Sequence, residues 1–228
     1  MFYGGYPGAA TLIGDEDRFS QYIQSAIIEA TINKDILMDT PISKPALLRQ
    51  TFELGAAYSG ELLSLNKMLG SLQDAGNTVT LAGYINLLDE SGLLCGLQKF
   101  SVDMARRRAS IPKLQVYNNA LKMVYSPLTF EQAILNRKAW GRIFESGIGA
   151  YLVSQAFVHR FEVFYWRERD DEVDFVLRKK GSVVAIEVKS NAEKRTDGLD
   201  KFRKLFNPQS AFIVGDGGIS AEDFLSMD

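Results

Sequence analysis

The stretch from Asp171 to Ser190, DEVDFVLRKKGSVVAIEVKS, decides how the second half of this chain folds. Side chains alternate faces along a strand. Val173, Phe175 and Leu177 share one face of a first strand, and Val184, Ile186 and Val188 share one face of a second. Lys180-Gly181 between them suits a two-residue turn, because glycine tolerates positive φ. In that register Phe175 faces Ile186 and Leu177 faces Val184, and all six apolar side chains point toward a core. A slip of one residue would expose that whole face, so the pattern itself fixes the register. Asp174 then stands opposite Glu187 on the other side, with Lys189 two positions further along.

Opposed carboxylates with Cβ atoms ~5 Å apart repel. With charges about 4 Å apart and an effective dielectric of about 20, the repulsion is on the order of 4 kcal/mol before screening. A hairpin selected for stability alone would avoid it, and a divalent cation would turn it into attraction. Mg²⁺ (or Mn²⁺) prefers carboxylate oxygens and leaves room for a phosphate ligand. Lys189 would add positive charge beside that phosphate or help to deprotonate an attacking water. A third acid lies upstream. Gly141, Glu145 and Gly149 are spaced i, i+4, i+8 on a helix predicted over Ala139–His159, so they share a face. Glycines a turn either side of Glu145 let that helix approach a sheet closely, at ~1 kcal/mol each in helix propensity. The expected metal ligands are therefore Asp174, Glu187 and Glu145, and the expected catalytic residues are these three with Lys189. Solvated strand-end charges are the plainer reading of Glu187 and Lys189 taken alone.

Outward from this core, the order is helix, three strands, helix (TDGLDKFRKLF) and strand (SAFIVG), a mixed α/β layer structure over residues 126–228. Residues 1–125 read as a helical domain. Residues 15–38 look helical, with Phe19, Ile23, Ile27 and Ile28 at helical spacing, and the prolines of Thr40–Pro45 mark a boundary. Three helices then follow, through ALLRQTFELGAAYSG, ELLSLNKMLG and TVTLAGYINLLDESG, the last capped by Asn77 or Thr78. Two apolar segments, LLCGLQKF and KLQVYNN, complete the order of a winged helix. The outward face of the third helix carries no Arg or Lys, which argues against base reading there. The fold expected is thus α/β (α+β overall), a winged-helix-like unit followed by an αβββαβ domain.

Composition is ordinary for a globular protein, 46% hydrophobic and 24% charged in 228 residues. No apolar run is long enough to span a membrane, and the N-terminus lacks the pattern of a secretory signal. The one cysteine, Cys95, excludes an internal disulfide and reads as a buried thiol, which fits a cytoplasmic setting. The one histidine, His159, is a poor candidate for a zinc site or a serine-type triad. The net charge of −2 is unevenly spread: residues 99–142 hold nine Lys/Arg against two Asp/Glu. That basic band includes Arg106, Arg107 and Arg108, candidates for contact with a nucleic-acid backbone; a solvated loop is the competing reading.

GRIFE, EVDFV and AIEVKS resemble the helix-one Glu and D…E-x-K signature of the PD-(D/E)XK nuclease superfamily. Nearly the whole chain, from Gly4 to Gly215, also resembles the C-terminal portion of AAA-type ATPases that carry domain of unknown function 4143, in which GGYP, YINLLDESGLL, PKLQVYN, GRIFE, EVDF and IEVKS occur in this order. The resemblance implies a nuclease-like fold, with Asp174 and Glu187 holding metal, Lys189 aiding the water and Glu145 assisting. It also implies an ATPase domain or subunit as partner. Two features depart from the family. No G-x-x-x-x-G-K-[ST] loop occurs, so these residues offer no ATP site of that kind. Asn118-Asn119 stands where relatives tend to have an acid. Three functions compete: a Mg²⁺-dependent phosphodiesterase acting on DNA, a non-catalytic nucleic-acid-binding module, and a protein-interaction arm for the ATPase.

Overall fold

The computed structural model describes residues 1–74, 76–103, 110–191 and 197–227. The Arg106–Arg108 run lies outside the described residues. The chain begins with a 3₁₀ turn (Pro7–Leu12) and helix α1 (Glu16–Tyr22), which continues through two π-helical stretches, Ile23–Glu29 and Ile32–Ile36. The buried stripe here is Phe19, Ile23, Ile28, Ile32 and Ile36. Its spacing exceeds the 3.6 residues of an α-turn, and widened turns keep the isoleucines aligned. Ile27, expected on that stripe, is only partly buried as a result.

Pro45 occupies the first turn of α2 (Pro45–Ala57), where its missing N–H costs nothing. The Ser64 hydroxyl accepts from Lys67 N to cap α3 (Leu65–Ser71), and Asn77 Oδ1 accepts from Thr80 N to cap α4 (Thr78–Glu90). Helix α3 starts later than the apolar pattern suggests, because Leu62 forms a β-bridge with Lys113. Leu81, Tyr84, Ile85 and Leu88 of α4 pack into the same core as Leu47, Leu48 and Phe52 of α2. Strands β1 (Leu94–Leu97) and β2 (Lys113–Val116) pair antiparallel, Leu94 with Val116 and Leu97 with Lys113.

Short helices α5 (Asn119–Met123) and α6 (Phe130–Leu135) lead to the long helix α7 (Arg137–His159). Then come β3 (Glu162–Glu168), β4 (Asp171–Lys179), β5 (Ser182–Lys189), α8 (Asp197–Phe206), β6 (Ser210–Gly215) and α9 (Ala221–Leu225). The four strands form one sheet in the order β3-β4-β5-β6, antiparallel except for the parallel β5–β6 pair. The chain is therefore a mixed α/β structure, helical at its N-terminus, with strands and helices following.

The hairpin register is the one the apolar pattern implies. Phe175 pairs with Ile186, Leu177 with Val184 and Lys179 with Ser182. Lys180 and Gly181 form the turn, both with positive φ (+49° and +88°). One sheet face, with Phe175, Ile186, Val188 and Val214, packs beneath Phe144, Ile148 and Leu152 of α7. The other packs Phe164, Trp166, Val176 and Ala185 against Leu199 and Phe202 of α8.

Val173 departs from the expected single apolar face: it belongs to the α8 side. The cause is a β-bulge. Phe164 pairs with Val176 and Trp166 with Val173, so Tyr165 faces two residues, Asp174 and Phe175. The extra residue in β4 flips the side-chain alternation at that point.

Candidate functional site

The bulge and the end of a ladder coincide at Asp174. The pairing of β4 with β5 runs out at Phe175–Ile186. Beyond it, Asp174 Oδ2 accepts a 2.7 Å hydrogen bond from Val188 N–H. A side-chain carboxylate thus takes a main-chain donor that the neighbouring strand would otherwise satisfy. Asp174 is 6% exposed, Glu187 7% and Lys189 4%.

Helix α7 brings Glu145 to the same place. Gly149, one turn on, lies so close to the sheet that a Cβ there would stand 2.2 Å from Gln115 Oε1 and 2.7 Å from Phe175 Cζ. The close approach expected from the glycine spacing is therefore present at Gly149. Gly141 is less confined, with Ser190 Oγ 3.2 Å from the corresponding point.

A residue that the sequence reading passed over occupies the centre. Lys113, first residue of β2, sends its side chain between α7 and β4. Its ammonium donates to Glu145 Oε1 at 2.5 Å and to the main-chain oxygen of Asp174 at 3.2 Å. It lies 3.8 Å from Asp174 Oδ1 and 4.6 Å from the centre of the Phe175 ring. Burial pulls the pKa of Lys113 down, but the charge of Glu145, then that of Asp174 and the Glu145 hydrogen bond, outweigh it and hold it above the ordinary lysine value. The ammonium is charged throughout the physiological range. Lys113 was not legible in the sequence because a lysine opening a strand reads as a solvated end. The one signal is that Lys113 and Gln115 alternate with Leu114 and Val116, a polar face on a strand that proves buried throughout.

The structure thus gathers Glu145 and Asp174 around Lys113. Glu187 Oε1 instead lies 3.7 Å from Lys189 Nζ, and neither residue lines the open cleft above. Among the described residues, no group of three or more His, Cys, Asp or Glu side chains could hold a metal ion. An ammonium thus stands between Glu145 and Asp174, two of the three carboxylates expected to bind Mg²⁺.

The cleft, about 680 Å³, opens above Lys113. Arg137, Lys138, Gly141, Arg142 and Glu145 recur on the face of α7 that lines it, and Arg167 and Glu172 line it from the sheet. Arg142 Nη2 pairs with Glu61 Oε2 at 3.2 Å.

Below the cleft a buried polar network fastens α7 to the first half. Ser146 Oγ donates to Asn119 Oδ1 at 2.7 Å and shares a 2.8 Å hydrogen bond with Ser59 Oγ. Because the Ser146 proton goes to Asn119, Ser59 is the donor of that pair. Val116 N–H donates to Ser59 Oγ, and Gln115 Nε2 donates to Ser146 O. The Asn118–Asn119 pair is structural in these bonds: Asn118 Oδ1 caps α5 through Ala120 N–H and accepts from Gly5 N–H of the GGYP opening. Lys122 Nζ donates to Ser59 O at 2.7 Å, and burial lowers its pKa to about 8. Cys95 is buried as expected, and burial raises its thiol well above the ordinary range. Among the described residues, no helix is long and apolar enough to cross a membrane.

The family model described as Domain of unknown function (DUF8612) matches residues 1–132, and that described as Domain of unknown function (DUF4143) matches residues 140–222. The likeness to DUF4143 is thus found over the second half rather than over nearly the whole chain. No curated protein and no solved structure matches.

Proposed function

The chain belongs to the DUF8612 family, and from its cleft we propose that it is a nuclease-like module that binds the phosphodiester backbone of DNA. The observation that carries this reading is the row of cations on the cleft walls, Arg137, Lys138 and Arg142 on one and Arg167 on the other, above a floor where Lys113 faces Glu145 and Asp174; Glu61 and Glu172 share the lining. Cations spaced along one helix face suit successive phosphates, and such contacts position a strand without reading its sequence.

The proposed fold is that of a PD-(D/E)XK domain preceded by a winged-helix-like unit. A bulged strand carrying Asp174, a neighbouring strand ending in Glu187 and Lys189, and a covering helix carrying Glu145 support the first. Three helices followed by the β1–β2 pair support the second. Binding rather than cleavage is the activity assigned, because Lys113 already pairs with Glu145 and Asp174, two of the three acids expected to hold a metal.

The test is fluorescence anisotropy with labelled single-stranded and duplex DNA, on the wild type and on Arg137→Ala/Lys138→Ala/Arg142→Ala. With three phosphate contacts, single-strand affinity should fall with a log–log salt slope of about −2. The triple variant should bind at least about tenfold more weakly, with a flatter slope. Absence of wild-type binding at low salt, or equal binding by the triple variant, removes the reading. Replacing Arg106, Arg107 and Arg108 by Ala in parallel tests whether that run adds to the surface.

A further inference from the structure

We propose that Lys113 is the resident cation of the carboxylate pocket. The first half of the chain lends an ammonium that takes the position between Glu145 and Asp174 a divalent ion would need, and the pocket admits no metal while Lys113 stays there. This rests on reading the pocket as nuclease-like.

Three features make Lys113 a fixture. Its side chain is 7% exposed, so the ammonium has left bulk water. Its hydrogen bonds reach two different elements, Glu145 on α7 and Asp174 on β4. The Phe175 ring lies 4.6 Å from the charge, and a cation over an aromatic face is held electrostatically. A buried ammonium stripped of water is stable only with such partners. A divalent ion in the same space would meet a like charge at ion-pair range, and Mg²⁺ additionally demands near-octahedral oxygen geometry. Lys113 belongs to the half matched by DUF8612, whereas Glu145 and Asp174 belong to the half matched by DUF4143. One family's segment therefore neutralises the acids of the other's.

The experiment titrates the full chain with Mn²⁺ and follows loss of the free-ion electron paramagnetic resonance signal. Wild type and Lys113→Arg should take up no stoichiometric ion. Lys113→Ala should bind one Mn²⁺ on the order of 100-fold more tightly than wild type, the equivalent of about 3 kcal/mol for a buried charge. The added Asp174→Asn change should abolish that uptake. A folded Lys113→Ala that takes up no Mn²⁺ overturns the proposal. If Lys113→Ala does not fold, wild type and Asp174→Asn decide: stoichiometric Mn²⁺ uptake by wild type that Asp174→Asn removes overturns the proposal, and no uptake by wild type upholds it. DNA anisotropy on the same preparations separates the two readings. Failure of strand binding with the expected metal pattern removes only the assigned function, and the reverse removes only the role of Lys113.

Discussion

Replacing Gly149 by alanine should destabilise the protein although alanine is the better helix former. The new methyl group would stand 2.2 Å from Gln115 Oε1, 2.6 Å from Gln115 Cδ and 2.7 Å from Phe175 Cζ. Neither neighbour yields easily. Gln115 Nε2 is held by Val116 O and Ser146 O, each at 2.9 Å, and Phe175 is fully buried. Overpacking of this kind costs about 1–3 kcal/mol, while removing a helix glycine returns about 1 kcal/mol. The net loss is therefore up to about 2 kcal/mol. At about 2–4 °C per kcal/mol for a chain of this size, the melting temperature falls by up to about 8 °C. Gly83 provides the control. It sits within α4, exposed, with nothing within 4 Å of its would-be Cβ, so Gly83→Ala should stabilise by up to about 1 kcal/mol. Thermal and urea unfolding followed by circular dichroism measure both. A Gly149→Ala protein at least as stable as wild type, beside a stabilised Gly83→Ala, would refute the claim that the helix–sheet distance is set here.

Two further outcomes follow from the buried polar groups. Lys122, with its pKa lowered to about 8 against an ordinary 10.5, is neutral in the fold and charged in the unfolded chain between those values. The unfolded state then binds the extra proton, so stability should rise from about pH 8 to pH 10.5, by about 3 kcal/mol at 1.36 kcal/mol per unit. Urea midpoints across this range should show that rise in wild type relative to Lys122→Met; parallel curves would contradict it. Lys113 has the opposite sign: its raised pKa gives stability that is present below the ordinary lysine value and lost only as pH climbs beyond it. Ser146→Ala removes the hydroxyl between Ser59 and Asn119, which should cost about 1–3 kcal/mol for the stranded partners. Calorimetry should show a lower melting temperature, and an unchanged one would sink the view that this network fastens α7 to the first half.

The hairpin register was legible because two constraints in the sequence agree: six alternating apolar residues and a Lys-Gly turn. The approach of α7 was legible from glycine spacing, the cap of α4 from Asn77, and the break before α2 from the prolines of Thr40–Pro45. What escaped was set by tertiary context. The bulge that moves Val173 to the other face adds a residue within β4 and leaves no local signature. The π-helical turns of Ile23–Glu29 follow from an apolar spacing that a search for α-helical period reads as slightly irregular. Lys113 escaped for the strongest reason. A lysine's partners are unknowable until the chain brings α7 and β4 to it, and without them the residue is a strand-end charge.

The bulge also explains why Asp174 serves structure and chemistry together. In a regular strand Val173, Phe175 and Leu177 would alternate against Asp174, and β4 could continue its pairing with β5. The extra residue stops that ladder after Phe175 and leaves the Val188 N–H facing Asp174. The carboxylate accepts that bond with one oxygen and faces Lys113 with the other, so its charge is held by a main-chain donor and an ammonium at once. A neutral amide would keep one acceptor for Val188 but surrender much of the attraction to Lys113, leaving the ammonium to Glu145 and the main-chain oxygen of residue 174. The open end of the sheet is thus stable only as a charged assembly. A cleft there fits the parting of β4 from β5 at the residue whose side chain replaces the lost main-chain partner, while β4 still pairs with β3 and β5 with β6.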